Sequence, residues 1–201
     1  MANILIIHYS LHGHTHFLAE SIEKGALEVK GSLVEMRRVP ETKPPDVLER
    51  LGASEFYKSF LNLQACTMDD LAWADAVLFG SPAFLSGMCG EMRDFLDSLR
   101  GQLDGGMLQG KIGGAFVCSS QSWGQEAALL SMHASLLELG MMVVGMPINF
   151  EGKLVFYAAS SPYGTTASPG GPEKRWPSER ELEAARIQGK YVAMQASKIS
   201  R

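Results

Sequence analysis

The chain has 201 residues, 46% of them hydrophobic and 20% charged, enough to bury one generous core and too apolar for a disordered chain. Eighteen Lys and Arg against 22 Asp and Glu give a net charge of −4, which argues against binding nucleic-acid phosphates. Three cysteines, Cys66, Cys89 and Cys118, make neither a disulfide framework nor a zinc spacing and suit a reducing cytoplasm.

Ile4-Leu5-Ile6-Ile7 is a short apolar run of the kind that forms a strand buried on both faces. The N-terminus, Met1–Ile7, lacks a basic stretch and a small-residue cleavage site, so a strand is expected rather than a signal peptide. A loop, Ser10–Thr15, follows. Leu18, Ile22, Ala26 and Val29 then recur at helical spacing, with Gly31 as a stop. From Arg38 to Leu71 the pattern loosens around Pro40, Pro44 and Pro45, with one short helix expected near Asp46–Leu51.

Strand, loop and helix then recur. Ala76–Phe79 is a strand, Gly80–Gly90 a loop, and Met92, Phe95, Leu96 and Leu99 a helical face. Ile112–Cys118 is the next strand, Ser119–Gly124 its loop, and Leu129, Met132, Leu136 and Leu139 the next stripe. Met142–Val144 reads as a further strand, and 150–177 as a Gly/Pro/Ser-rich loop of a length that is functional or orders against another subunit. Pro177 and Ser178 open the last helix, with Ser178-x-x-Glu181 as a capping box and Leu182, Ala185, Val192 and Ala196 as its apolar face. Alternating strands and helices predict one α/β domain over 1–201, a parallel sheet covered on both faces. The most apolar stretch, Leu139–Ile148, is interrupted by Gly140, Gly145 and Pro147 and falls short of the ~20 residues that a membrane-spanning helix needs, so no membrane association is expected.

In such a sheet the ligand binds beyond the carboxyl ends of the strands. Ser10–Thr15 brings hydroxyls, a glycine and free helix-start N–H groups together, an anion site suited to a phosphomonoester. It has neither Gly-x-Gly-x-x-Gly nor the lysine of a nucleoside-triphosphate loop. A plain strand-to-helix turn accounts for the loop equally well. His8, His12, His14 and His16 crowd into this stretch without a carboxylate or thiolate partner, so no metal is expected; they line a phosphate pocket or face solvent. Gly-x-Ser-x-Gly is absent as well, and chemistry with no evident protein acid or base usually belongs to a cofactor, which points toward a flavin.

Ser10-Leu11-His12-Gly13-His14-Thr15 resembles the phosphate loop of flavodoxin-like proteins. Arg38–Thr42, Gly80-Ser81-Pro82, Gly90–Asp97, Gly110-Lys111, Gly124-Gln125-Glu126, Pro162-Tyr163-Gly164, Pro177–Glu179 and Ala185–Gly189 narrow the resemblance to WrbA-type NAD(P)H:quinone oxidoreductases. It implies a flavodoxin-like three-layer fold with a five-stranded parallel sheet, FMN as cofactor, NAD(P)H as co-substrate and a homo-oligomer, dimer or tetramer. The activity it implies is two-electron hydride transfer through flavin N5 to a quinone in a ping-pong cycle. The positions implied for FMN are Ser10, Leu11, His12, Gly13, His14 and Thr15; Pro82, Ala83, Phe84 and Leu85; and Ser119, Ser120, Gln121, Ser122, Trp123 and Gly124. His12 and Leu103 are implied on the nucleotide or quinone side.

The second loop, Pro82-Ala83-Phe84-Leu85-Ser86, lacks the Thr and Arg that the family carries there. The third is one residue shorter and carries Trp123, which could stack on the ring, occupy its space or simply pack the loop. The family's ring-facing His is Leu139 here, and its quinone-side Trp is Leu103. Two other readings stay open on these residues: an altered member that serves as a scaffold or partner-binding protein, and a one-electron flavodoxin-type carrier.

Overall fold

The computed structural model describes residues 1–52, 55–102, 105–120, 123–155, 160–169 and 175–199. Leu103, Gln121 and Ser122 therefore lie outside the described residues. Strand β1 (Ala2–His8) is the apolar run read from the sequence, with Ile4 to Ile7 wholly buried. Helix α1 (His14–Leu27) follows, ending four residues before Gly31, which takes a left-handed φ of 87° in the turn beyond. Strand β2 (Ser32–Arg38) was not expected: it is an edge strand whose Leu33 and Glu35 face solvent, so it shows no apolar run.

Three six-residue helices cross the loose region: α2 (Pro45–Arg50), near the expected position, α3 (Glu55–Phe60) and α4 (Met68–Trp73), the last opened by a Thr67/Asp70 capping box. Strand β3 (Ala76–Phe84) runs five residues beyond its expected end and turns through Leu85-Ser86 into β4 (Gly87–Met88), so part of the expected loop is a hairpin. Helix α5 (Gly90–Ser98), strand β5 (Ile112–Cys118) and helix α6 (Gln125–Glu138) follow as read.

The parallel order β2-β1-β3-β5 is completed by a strand in two pieces. Strand β6 (Met142–Val143) pairs with the start of β5, and β10 (Gly164–Ala167) with its end. Between them the chain leaves the sheet to form β7 (Asn149–Phe150), β8 (Lys153–Leu154) and β9 (Ser160–Ser161), the last antiparallel to β10. The described part of the 150–177 stretch thus packs on its own chain: Phe150 and Val155 sit with Ala184 and Tyr191 on helix α7 (Glu179–Ile199).

The split leaves a gap in the ladder, which Gln188 closes. This fully buried side chain donates to the Ala115 carbonyl (2.9 Å) and accepts from the Thr165 N–H (3.1 Å). A buried carbonyl or N–H without such a partner costs about 1–3 kcal/mol. Helices cover both faces, with α1 and α7 against Ile4, Ile6 and Phe116, and α4, α5 and α6 against Leu5, Ile7 and Phe79. Helices α1 and α7 cross at Gly25 and Gly189, where a Cβ would lie 1.8–1.9 Å from a backbone carbonyl of the other helix.

Candidate functional site

Three connections open at the carboxyl ends of β1, β3 and β5, where the expected ligand site lies. Gly13 precedes α1 at φ 93°, a conformation that L side chains rarely adopt. Ser10 is buried at the strand end, and its Oγ accepts the His16 N–H (3.3 Å); among the described residues no acceptor is found for its own O–H. Among the described residues, no acceptor is found for the N–H groups of His12, Gly13, His14 and Thr15. The first turn of a helix presents such groups together with the positive end of the dipole. Leu11 and His14 are half-buried, Thr15 is buried and His12 is exposed at the tip. Two aromatic rings flank the loop: a Cβ on Gly13 would meet Trp176 at 3.1 Å and Phe56 at 3.3 Å. Trp176 also lies 4.9 Å from the His14 ring.

His8 and His16 neither line this cradle nor face solvent as expected. They meet beneath the loop, Nε2 of His8 2.9 Å from Nδ1 of His16, with rings stacked at 5.1 Å. Burial, then the neighbouring His16, holds His8 well below its ordinary pKa, and burial lowers His16 as well. Sequence reasoning missed the pair because the two residues stand in different elements, a strand and a helix.

The second connection is formed by the end of β3 and its hairpin. Ala83 is buried and Pro82 half-buried, whereas Phe84 is 60% exposed and Leu85 fully so. Leu85 and Ser86 both take positive φ (47° and 65°), as a two-residue turn of this kind requires, although Asn-Gly is the favoured pair there. The third connection touches the second, because a Cβ on Gly124 would lie 2.5 Å from Ser86 Oγ. Trp123 beside it is 80% exposed, so it does not serve to pack the loop. Ser120 is exposed and Ser119 buried, its N–H on the Ala167 carbonyl (3.0 Å).

Gln125, which the sequence reading had not singled out as a site residue, fastens this corner. Its Nε2 reaches Ser119 Oγ (3.0 Å), the Ala167 carbonyl (2.8 Å) and Ser168 Oγ (2.9 Å). Glu181 holds the other side: it accepts from Ser168 N–H, from Ser178 and, twice, from Arg175, which completes the expected capping box. Burial alone would raise its pKa, but these donors pull it down to about 2. A cavity of about 340 Å³ lies beside this corner, lined by Gln125, Glu126, Ser160, Ser161, Ser168 and Glu181.

Behind the first connection, Glu41 accepts from Tyr9 (3.0 Å), from Tyr57 and from the N–H groups of Thr42 and Lys43, while Lys43 pairs with the buried Glu91. Burial first, then Glu41, raises the Tyr9 hydroxyl far above its ordinary range. Leu139 is not near these loops: it ends α6, about 20 Å of helix from Trp123 at 1.5 Å per residue. There it lines a separate cavity of about 390 Å³ with Leu99, Met107 and Leu108. Among the described residues, no group of three metal-ligating side chains forms.

The family profile of NADPH-dependent FMN reductases matches residues 2–153. The chain is 45% identical over 201 residues to an NAD(P)H dehydrogenase (quinone) of Geobacter sulfurreducens, covering 98% of this chain and 99% of that one. It is 47% identical over 199 residues to the protein so named in Geotalea daltonii, covering 98% and 97%. Among solved structures it is similar to a flavodoxin, WrbA-like protein of Agrobacterium tumefaciens, with a TM-score of 0.67 and 20% identity over 99% of both chains. An archaeal flavodoxin gives 0.63 and 20%, over 97% of this chain and 99% of that one. These two likenesses concern the fold, a flavodoxin-like α/β sandwich.

Proposed function

The chain belongs to the family of NADPH-dependent FMN reductases, and on that premise we propose that it is an FMN-dependent NAD(P)H:quinone oxidoreductase. The observation that carries the reading is the cradle at Ser10–Thr15: a left-handed Gly13, with N–H groups and a Ser10 hydroxyl that have no acceptor among the described residues, at the start of a 14-residue helix. That donor set fits a phosphomonoester without needing a lysine or arginine.

The ring end fits as well. Phe84, Leu85 and Trp123 present exposed apolar surface, and a flat ring laid on it would remove apolar area from water at roughly 25 cal/mol per Å². In this reading Ser10, Leu11, His12, Gly13, His14 and Thr15 hold the phosphate, and Pro82, Ala83, Phe84 and Leu85 border the ring on one side. Ser119, Ser120, Gln121, Ser122, Trp123 and Gly124 border it on the other. Bound FMN would supply the two-electron exchange between NAD(P)H and a quinone. Gln125 and Glu181 keep the third connection in place, and exposed His12 stands where the incoming nucleotide or quinone meets the cleft.

The family resemblance supports a homo-oligomer, and Leu139, at the far end of α6 from the third connection, would not border a flavin bound in the same chain. The three buried, free cysteines support a cytoplasmic setting, and no helix among the described residues is long and apolar enough to cross a membrane. The whole chain acts as one domain in this reading.

Steady-state kinetics with NADH or NADPH and benzoquinone, with and without added FMN, test the reading. FMN-dependent turnover is expected, and its absence in FMN-saturated protein would overturn it. His12→Ala is expected to raise KM for the nucleotide or the quinone; unchanged kinetics would remove His12 from the site.

A further inference from the structure

Helix α3 leans on the phosphate cradle through two phenylalanines, and their seat is the histidine pair. Phe56 lies 5.3 Å from the His16 ring and within van der Waals reach of Gly13. Phe60 lies 5.2 Å from the His8 ring and 6.0 Å from that of His16. His8 is 0% exposed, and its Nδ1, facing the backbone of Arg37, makes no well-formed hydrogen bond. From the geometry we infer that the His8–His16 pair is an acid-sensitive latch, which seats α3 on the phosphate cradle when neutral and releases it when protonated.

The chemistry of the pair fixes the direction. Two neutral imidazoles share one hydrogen bond, one ring nitrogen donating and the other accepting. One added proton charges a pair in which His8 is fully buried and His16 is covered on the α3 side by Phe56 and Phe60, and a second removes the acceptor and sets two cations against each other. Water relieves both costs once α3 lifts away, because His16 is then exposed.

Charged groups on the surrounding elements do not offset this. On α1, Glu20 lies 3.5 Å from His16 Nε2 and favours a proton there, but it is itself more than one-third exposed and screened by solvent. On β2, Arg37 is taken by Glu35 and Asp70, and the Arg38 guanidinium by the carbonyls of Leu63 and Val39. On α3, the Tyr57 hydroxyl is taken by Glu41, and Lys58 adds a positive charge at the exposed surface.

Both histidines are depressed in the folded chain, mainly by burial. Their stabilisation is therefore complete above the ordinary value of 6.5 and declines as pH falls below it. One linked proton raises the open fraction by up to about tenfold per pH unit.

The test is hydrogen exchange of the 55–63 backbone between pH 7.5 and 5.5 in protein without FMN, corrected for intrinsic exchange. Because no flavin is present, failure of the latch and failure of the FMN reading are separate results. In the unaltered chain, protection of this segment is expected to fall roughly tenfold or more over that interval, while β3 and β5 stay protected. In His16→Gln the dependence is expected to flatten. A pH-independent segment in the unaltered chain, or an undiminished dependence in His16→Gln, would overturn the latch. If His16→Gln does not fold, imidazole NMR of the unaltered chain decides: His8 and His16 must titrate together with the α3 amides, and independent titration near 6.5 contradicts the proposal.

Discussion

At the proposed phosphate end of the cleft, Gly13 is flanked by Trp176 and Phe56, Ser10 is tied to His16, and the His8–His16 pair lies beneath. At the ring end, Phe84, Leu85 and Trp123 stand in solvent, two of them on a hairpin whose turn holds a leucine at positive φ. The first region packs against side chains of its own chain. The second keeps large apolar side chains and local backbone strain in water, an arrangement that a flat ligand or a neighbouring copy would relieve. Binding at the two ends should therefore respond differently to substitution.

The largest expected effect is at the proposed phosphate end. Gly13→Val forces a β-branched residue into the left-handed region, at about 1–2 kcal/mol, and drives its side chain into Trp176 and Phe56. FMN affinity is expected to fall roughly 10- to 100-fold while riboflavin, which lacks the phosphate, changes little. Equal losses for both ligands would break the division between the two ends.

Trp123→Ala acts on the other side of the comparison. Loss of a stacking surface worth about 1–3 kcal/mol should weaken FMN and riboflavin alike, by about tenfold, in fluorescence titrations. Since Trp123 is exposed, thermal stability should stay within about 0.5 kcal/mol. A large loss of stability would mean that the indole packs after all.

The smallest effect is at Leu85. Leu85→Asn puts a residue suited to positive φ into the turn and should stabilise the protein by about 0.5–1 kcal/mol, read as a small rise in Tm. A lowered Tm would show that the leucine makes a contact worth more than its strain.

Much of this was legible in the sequence where residues carry a period. The buried runs at Ile4–Ile7 and Ile112–Cys118, the stripes of α5 and α6 and the Ser178/Glu181 cap stand where they were expected. What escaped has physical reasons. Strand β2 is an edge with two solvent-facing residues in its first four, and α3 and α4 are each too short to display a helical repeat. Strand β10 is Gly-Thr-Thr-Ala, defined by its pairing with β5 and by Gln188 rather than by hydrophobicity. The proposed phosphate loop could be put forward from the sequence because its candidate groups are local to six residues. The histidine pair and the Gln125 corner could not, because each joins elements that meet only in the folded chain.

Parallel titrations of the purified protein with FMN and with riboflavin, followed by flavin fluorescence, address the central claim most directly. A saturable FMN complex in the micromolar range or tighter is expected, with riboflavin at least about tenfold weaker because the cradle contributes through the phosphate. Absence of FMN saturation, or equal affinity for the two flavins, would contradict a cradle built for the phosphate.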